Sequence, residues 1–465
     1  MYLKTLFPQL KKISLADLFT IGFLAAVIYL LFYVGRTWGK AEVPLMQIDL
    51  DMAHLPLYAS FSFARAMIAL FLSLIFSMIY GTIAASSAKA EKWMIPILDI
   101  LQSIPVLGFL PGLAIVMMAL FPESRVGLEI VAILMIFTSQ VWNMTFSIYQ
   151  SVKQTPPVLR EVTRIYHLKF LRKFFWVELP YGMLALVWNA MMSVAGGWFF
   201  LMICESFVLR GKDFRLPGLG SYMSVAINRG DTQAIVAGAL TMLALIMLLE
   251  IFLWRPLMSW AARFKWEGAD QPHRSRGIFL YRVLKRSAIF DKLMEKFLSC
   301  INRRIAHDFT GGNRSVPHLP LGERVGVRVI SFISLAAFII FSLFGFVLLI
   351  ALLVSMPAAR WGTIFESAGL TALRVFLSLF LASLWTIPVG ILIGYFPRVT
   401  RIAQPLVQIA AAFPMPMLFP LILLGLHWFG IGMGIGSILL LTLALQWYLL
   451  FNTIAGASFV PEGFK

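Results

Sequence analysis

Charge is scarce in this chain, and negative charge is scarcest. Only 13% of its 465 residues are charged, 39 Lys or Arg against 22 Asp or Glu, where soluble domains carry roughly 25%. Cysteine is nearly absent. Cys204 and Cys300 are the only two, which leaves no disulfide framework and no cysteine metal site. No Gly-x-x-x-x-Gly-Lys-Ser/Thr loop occurs, so nucleotide binding by that route is excluded. Neither His-Glu-x-x-His nor Cys-x-x-Cys spacing is present, and no His or carboxylate cluster offers acid–base chemistry. The chain is therefore expected to be no enzyme, with no catalytic residue, no metal ligand and no cofactor of its own. Any energy it uses must come from a partner or an ion gradient.

Apolar sequence fills the space that charge leaves. Hydrophobic residues make up 60% of the chain, against roughly 45–50% in soluble domains. Runs of about 20 apolar residues read as membrane spans. Ten are expected: Leu18–Val34, Ala66–Ala88, Ile95–Leu120, Leu128–Ile148, Tyr181–Val208, Ala234–Trp254, Val329–Met356, Thr371–Tyr395, Ile402–Leu426 and Ile431–Phe451. The expected fold class is an all-α polytopic membrane protein. The first apolar run follows Lys4, Lys11 and Lys12, but it is long for a signal peptide and lacks a clear cleavage site. An uncleaved first span is the better reading.

The net charge of +17 is placed unevenly. Fifteen Lys or Arg stand against six Asp or Glu between Arg255 and Arg328, and the loop 150–180 carries Lys153, Arg160, Arg164, Lys169, Arg172 and Lys173. Positive loops stay in the cytoplasm, so both segments and the N-terminus are expected to face inward. Apposition to anionic lipid accounts for the basic linker. No recognition motif supports a nucleic-acid partner.

The chain also repeats itself. Arg65, Phe71, Leu72, Gly81, Pro96, Ile100, Pro105 and Pro111 recur 309 positions later as Arg374, Phe380, Leu381, Gly390, Pro405, Ile409, Pro414 and Pro420. Gly127, Trp142, Phe146 and Pro156 recur 305 positions later as Gly432, Trp447, Phe451 and Pro461. A period of this size marks two copies of one domain. The offset between matched spans is even, so the copies are parallel. The expected organisation is a six-span unit over 1–254, a basic cytoplasmic linker over 255–328, and a second unit over 329–465 that provides four spans. The third and ninth spans are interrupted by proline in both copies. Such breaks persist in a bilayer only where they are buried in protein or line a wet cavity. This makes Asp99, Gln102, Pro105, Gln408 and Pro414 candidates for a pathway.

One loop carries more specific information. Glu161-Val162-Thr163 is followed by His167, then by Val177, Glu178, Leu179 and Pro180. This resembles the EAA motif of binding-protein-dependent ABC import permeases, which runs Glu-Ala-Ala, three residues, Gly, nine residues, Ile, one residue, Leu-Pro. Glu161, Leu179 and Pro180 match outright, and Val177 is a mild replacement. Val162, Thr163 and His167 depart from the pattern. A glycine there lets the chain turn between two helical pieces at positive φ, a region that histidine tolerates better than β-branched residues do. Pro180 suits the first turn of the next span. Glu161 suits the start of a short helix, facing its dipole.

Glu205, at the far end of the fifth span, precedes Gly218-Leu219-Gly220. This is similar to the nitrate/sulfonate/bicarbonate branch of those permeases. The resemblance covers roughly 59–254 and 361–465. It implies a type I ABC importer fold in a bacterial inner membrane, with separate ATPase subunits that use ATP and Mg and grip the coupling loop. It also implies a periplasmic solute-binding protein that delivers a small anion. Glu205 becomes a further pathway or gate candidate, and Gly218, Leu219 and Gly220 become candidate contacts for the binding protein. An ion-gradient-driven secondary transporter is the alternative, since such proteins also use parallel repeats and broken helices. It has no use for the loop Glu161–Pro180.

Aligning the copies places Arg160 over Lys465, so the second copy stops where its own coupling motif would begin. A fragment of a longer twelve-span protein is the expectation. The rival is a natural short subunit whose second half serves as a scaffold or is completed by another polypeptide.

Overall fold

The computed structural model describes residues 47–121, 125–209, 212–264, 354, 357–430, 432–458 and 460. The expected span Leu18–Val34 lies outside these residues, Val329–Met356 lies almost wholly outside, and so do Cys300 and the linker from 265 onward. The described chain is helical apart from one short hairpin. In order it comprises α1 (Leu55–Ser86), α2 (Ala88–Ser103), α3 (Val106–Leu120), α4 (Val126–Lys153), α5 (Pro157–Ile165) and α6 (Phe170–Cys204). The hairpin follows, β1 (Ser206–Leu209) pairing antiparallel with β2 (Lys212–Arg215). Then come α7 (Leu219–Arg229), α8 (Thr232–Phe264), α9 (Ala358–Tyr395), α10 (Pro397–Ala412), α11 (Phe419–Trp428) and α12 (Met433–Ser458).

Six helices are long and apolar enough to cross a membrane: α1, α4, α6, α8, α9 and α12, with α1 lengthened by a 3-10 turn to Met52. They coincide with six of the expected spans. The expected third and ninth spans are broken at their prolines, as the sequence suggested. Each is two short pieces, α2 with α3 and α10 with a 3-10 turn and α11. The physical reason is the residue before proline, which the proline ring pushes out of the helical region. Ile104 before Pro105 has ψ 128°, and Phe413 before Pro414 has ψ 125°. Pro96, Pro111 and Pro405 lie inside helices instead.

Small residues hold the long helices together. The buried face of α1 includes Ser62, Ala66, Ala69, Ser73, Ser77, Gly81 and Ala84, and such a face lets membrane helices approach closely. A Cβ on Gly81 would lie 2.9 Å from Ile148 Cγ2 and from Thr145 O on α4. Gly390 on α9 meets Thr453 on α12 in the same way, at 2.7 Å. The two halves touch where Trp188 of α6 stacks on Phe451 of α12 at 4.9 Å. The α6 helix runs from a loop end, which carries α5, to a hairpin end, which carries β1 and β2.

Candidate functional site: the loop end, the hairpin end and the cavity between halves

At the loop end, α5 projects as nine residues with Pro157 in its first turn. Its polar and apolar residues segregate, but its apolar residues are not all covered. Val158, Val162 and Ile165 are exposed, as are Tyr166, Phe170 and Leu171 just beyond the helix. Glu161 is exposed too. Thr163 is buried, and its hydroxyl donates to Arg160 O at 2.7 Å. His167 then turns the chain at φ 47°, the one positive-φ residue other than glycine among the described residues. It occupies the position expected to need a left-handed turn. Its exposure leaves room for a ring that the αL backbone merely tolerates.

Past the turn, α6 is continuous from Phe170, but a π turn spans Phe174–Glu178 and holds Val177. Leu179 and Pro180 follow. The expectation that Pro180 sits in a first turn holds only for the α segment Leu179–Cys204. The helical path itself starts nine residues earlier.

At the hairpin end, the structure assembles an ion network from four separate segments. Arg65 of α1 is fully buried. Its Nε and Nη2 donate to Glu129 of α4 at 2.5 and 2.6 Å. Its Nη1 donates to Glu205 at 2.7 Å and to Pro217 O at 2.9 Å. Glu205 also accepts from the Ser62 hydroxyl at 2.6 Å and from the Gly220 N–H at 2.7 Å. The Leu219 N–H donates to Ser62 Oγ at 3.0 Å, and the Ser221 hydroxyl to Glu205 O at 2.5 Å. Every oxygen of both buried carboxylates faces a donor, as buried charge requires.

This packing explains both glycines. A Cβ on Gly218 would lie 2.3 Å from Glu205 Oε2, and one on Gly220 would lie 2.6 Å from Met202 O. Gly218, Leu219 and Gly220 are themselves buried, so a protein docking at this end would meet exposed neighbours such as Val208. Glu205, expected as a pathway or gate candidate, lies in this network.

The remaining pathway candidates separate. Asp99 and Gln102 are exposed on α2 and bond each other, with Gln102 Nε2 donating to Asp99 Oδ1 at 3.2 Å. Pro105 is exposed and Pro414 buried, each opening a break. Gln408, the repeat partner of Asp99, is buried and crosses between the halves to donate to Glu250 of α8. It lines a small cavity of about 20 Å³ together with Met191, Trp198, Glu250 and Ala412. That is room for about one water.

Sequence reasoning missed Glu129 and the Lys173–Glu178 and Glu250–Arg255 pairs. Glu129 and Glu250 were legible as acids inside apolar runs, which are functional candidates by default. Their partners were not legible, because Arg65 lies 64 positions from Glu129 and because Arg255 lies five from Glu250, a spacing that does not make neighbours in an α-helix.

Residues 77–255 match the binding-protein-dependent transport system inner membrane component family. The match covers α4, the loop, α6, the hairpin and most of α8, but not Ser62 and Arg65 of α1. Among relatives, the taurine transport system permease protein TauC of Escherichia coli K12 is 36% identical over 107 residues, 23% of this chain and 36% of that protein. The "Putative ABC transporter permease protein MJ0413" of Methanocaldococcus jannaschii is 31% identical over 100 residues, 22% of this chain and 36% of that protein. The chain thus spans about a third of each relative's length. These matches fit the mostly helical, polytopic membrane fold.

Proposed function

We propose that this chain is the membrane permease of an ABC importer, driven by separate ATPase subunits that dock on α5. The observation that carries the proposal is the loop end. There a short projecting helix leaves apolar residues uncovered, and a left-handed turn at His167 returns the chain into α6. An exposed apolar face of this kind marks an interaction site. In this reading Glu161, Val162, Thr163, His167, Val177, Leu179 and Pro180 form the coupling element. The chain is a fused pair of permease units, 1–254 and 329–465 joined by 255–328, in a bacterial inner membrane with its N-terminus in the cytoplasm. A periplasmic binding protein delivers the solute, and the hairpin end receives it. The broken helices with Asp99, Gln102, Pro105, Gln408 and Pro414 border the path. The similarity to a taurine transport permease favours a small sulfonate among the nitrate, sulfonate and bicarbonate-like anions.

Copurification with an ATPase subunit tests the core of the proposal. Glu161→Lys should abolish stimulated ATP hydrolysis and uptake while membrane insertion stays normal. Wild-type uptake and hydrolysis in that variant would overturn the assignment of the loop. Uptake profiling of a deletion strain across sulfonates, nitrate and bicarbonate tests the solute.

A further inference from the structure

The loop ends of α6 and α8 share a construction that the proposed function does not explain. Each helix contains one π turn, Phe174–Glu178 in α6 and Glu250–Trp254 in α8. Each π turn is followed at once by a residue and a proline, Leu179-Pro180 and Arg255-Pro256. Proline lacks the N–H of the α ladder and crowds the carbonyl four residues back, so a widened turn just before it relieves both problems. The Leu179 N–H donates to Phe174 O and the Arg255 N–H to Glu250 O, each closing on the fifth residue.

An ion pair straddles each π turn at the same spacing. Lys173 Nζ meets Glu178 Oε1 at 2.7 Å, and Arg255 Nε meets Glu250 Oε1 at 3.4 Å. Both glutamates are buried, and both basic partners are partly exposed. Residues five apart in an α-helix point about 140° away from each other, and only spacings of three and four make neighbours. A π turn closes on the fifth residue and returns that residue to the same face. Each pair therefore exists because its turn is π, and each pair opposes relaxation to α. The α8 segment Arg255–Ala261 packs on α6, and Gln408 of the second half holds the other oxygen of Glu250. A slip in one helix would be felt by its neighbour.

We infer that Lys173–Glu178 and Glu250–Arg255 are register clasps. They hold the two helices in π register at the loop end. Opening a clasp, where the proline permits, lets the turn relax to α and rotates the segment beyond it by about 100°. For α6 the rotated segment is the one that carries α5. The inference concerns helix register alone and does not depend on what the chain transports.

Pulsed electron spin resonance on the full chain in lipid nanodiscs tests it. Labels go at Ile165 and Trp93, both well exposed, after Cys204→Ala and Cys300→Ser. The combined Pro180→Ala and Glu178→Gln variant should shift the label separation by about 5 Å or more, as a 100° turn moves a point on a helix surface. The charge exchange Lys173→Glu with Glu178→Lys keeps Pro180 and restores a pair of the same spacing, so it should keep the unmodified separation. An unchanged separation in the first variant, or a shifted one in the exchange, overturns the inference. Should the first variant fail to fold, Glu178→Gln alone must broaden the distribution while the exchange does not. Equal distributions in those two would refute the clasp.

Discussion

Arg65 and Arg374 stand at matched places 309 positions apart in the sequence, yet they are different sites. Arg65 is buried between Glu129 and Glu205. Arg374 is half-exposed on α9, with no ion pair or hydrogen bond of its side chain among the described residues. The position matching Glu129 is Gly434, and the position matching Ser62 is Thr371, whose hydroxyl turns back to Ser367 O. The same divergence recurs near the other end of these helices. Glu91 of α2 bonds Lys153 and Tyr149 of α4. Its counterpart Thr400 donates to Ile393 O, and the counterparts of Lys153 and Tyr149 are Ser458 and Ile454. What recurs at this spacing is a small-residue contact between long helices, Gly81 against α4 and Gly390 against α12. What does not recur is the ionic chemistry. A repeated residue is a repeated site only if its partners repeat.

The largest effect that would sharpen this contrast is loss of the arginine itself. Arg65→Leu leaves two buried carboxylates without their cation and should cost about 3–5 kcal/mol, seen as a large drop in thermal unfolding temperature in detergent. Arg374→Leu should change stability by no more than about 0.5 kcal/mol. Equal losses at the two positions would break the comparison.

Glycine substitution comes next. Gly218→Ala drives a methyl into the pinned Glu205 carboxylate and should cost about 1–3 kcal/mol. Gly434→Ala meets nothing within 4 Å and should be neutral or stabilise α12 by up to about 1 kcal/mol. The same unfolding assay separates them. Gly434→Glu offers Arg374 a copy of the acid that Arg65 has. For a half-exposed pair the gain should be about 1 kcal/mol at most, and a double-mutant cycle with Arg374→Leu would isolate it.

The smallest effect is one of pH. Lys153 and then Tyr149 hold the Glu91 carboxyl below its usual range. A lowered pKa contributes stability above the unfolded value, and that contribution is lost as pH falls through the folded one. Acidification below the ordinary carboxylate range should therefore loosen α2 from α4, measurable as faster amide exchange in 88–103. Glu91→Gln should remove the pH dependence, and the matching segment 397–412 should show none.

Reading from the residues reached far on the elements and less far on the sites. The matched prolines located both helix breaks, because the residue before proline is a local constraint. The loop motif located α5 and the turn at His167, because both depend on residues within ten positions. Asp99 and Gln408, alike in sequence position, end in opposite environments, one exposed on α2 and one buried against Glu250. Burial there depends on which helix of the other half lies alongside.

The sequence by itself determined the membrane character and the paired breaks, and six of its ten expected spans are long apolar helices among the described residues. Hydrophobic run length and proline act locally, and a bilayer demands that backbone bonds be satisfied within each segment. Only the tertiary structure decided that Glu205 pairs with the buried Arg65. Only it decided that Gly218 is small for the sake of that carboxylate, and that Lys173 and Glu250 find partners five residues away. Those outcomes depend on helix packing and on helix register, and neither is written in the spacing of residues along the chain.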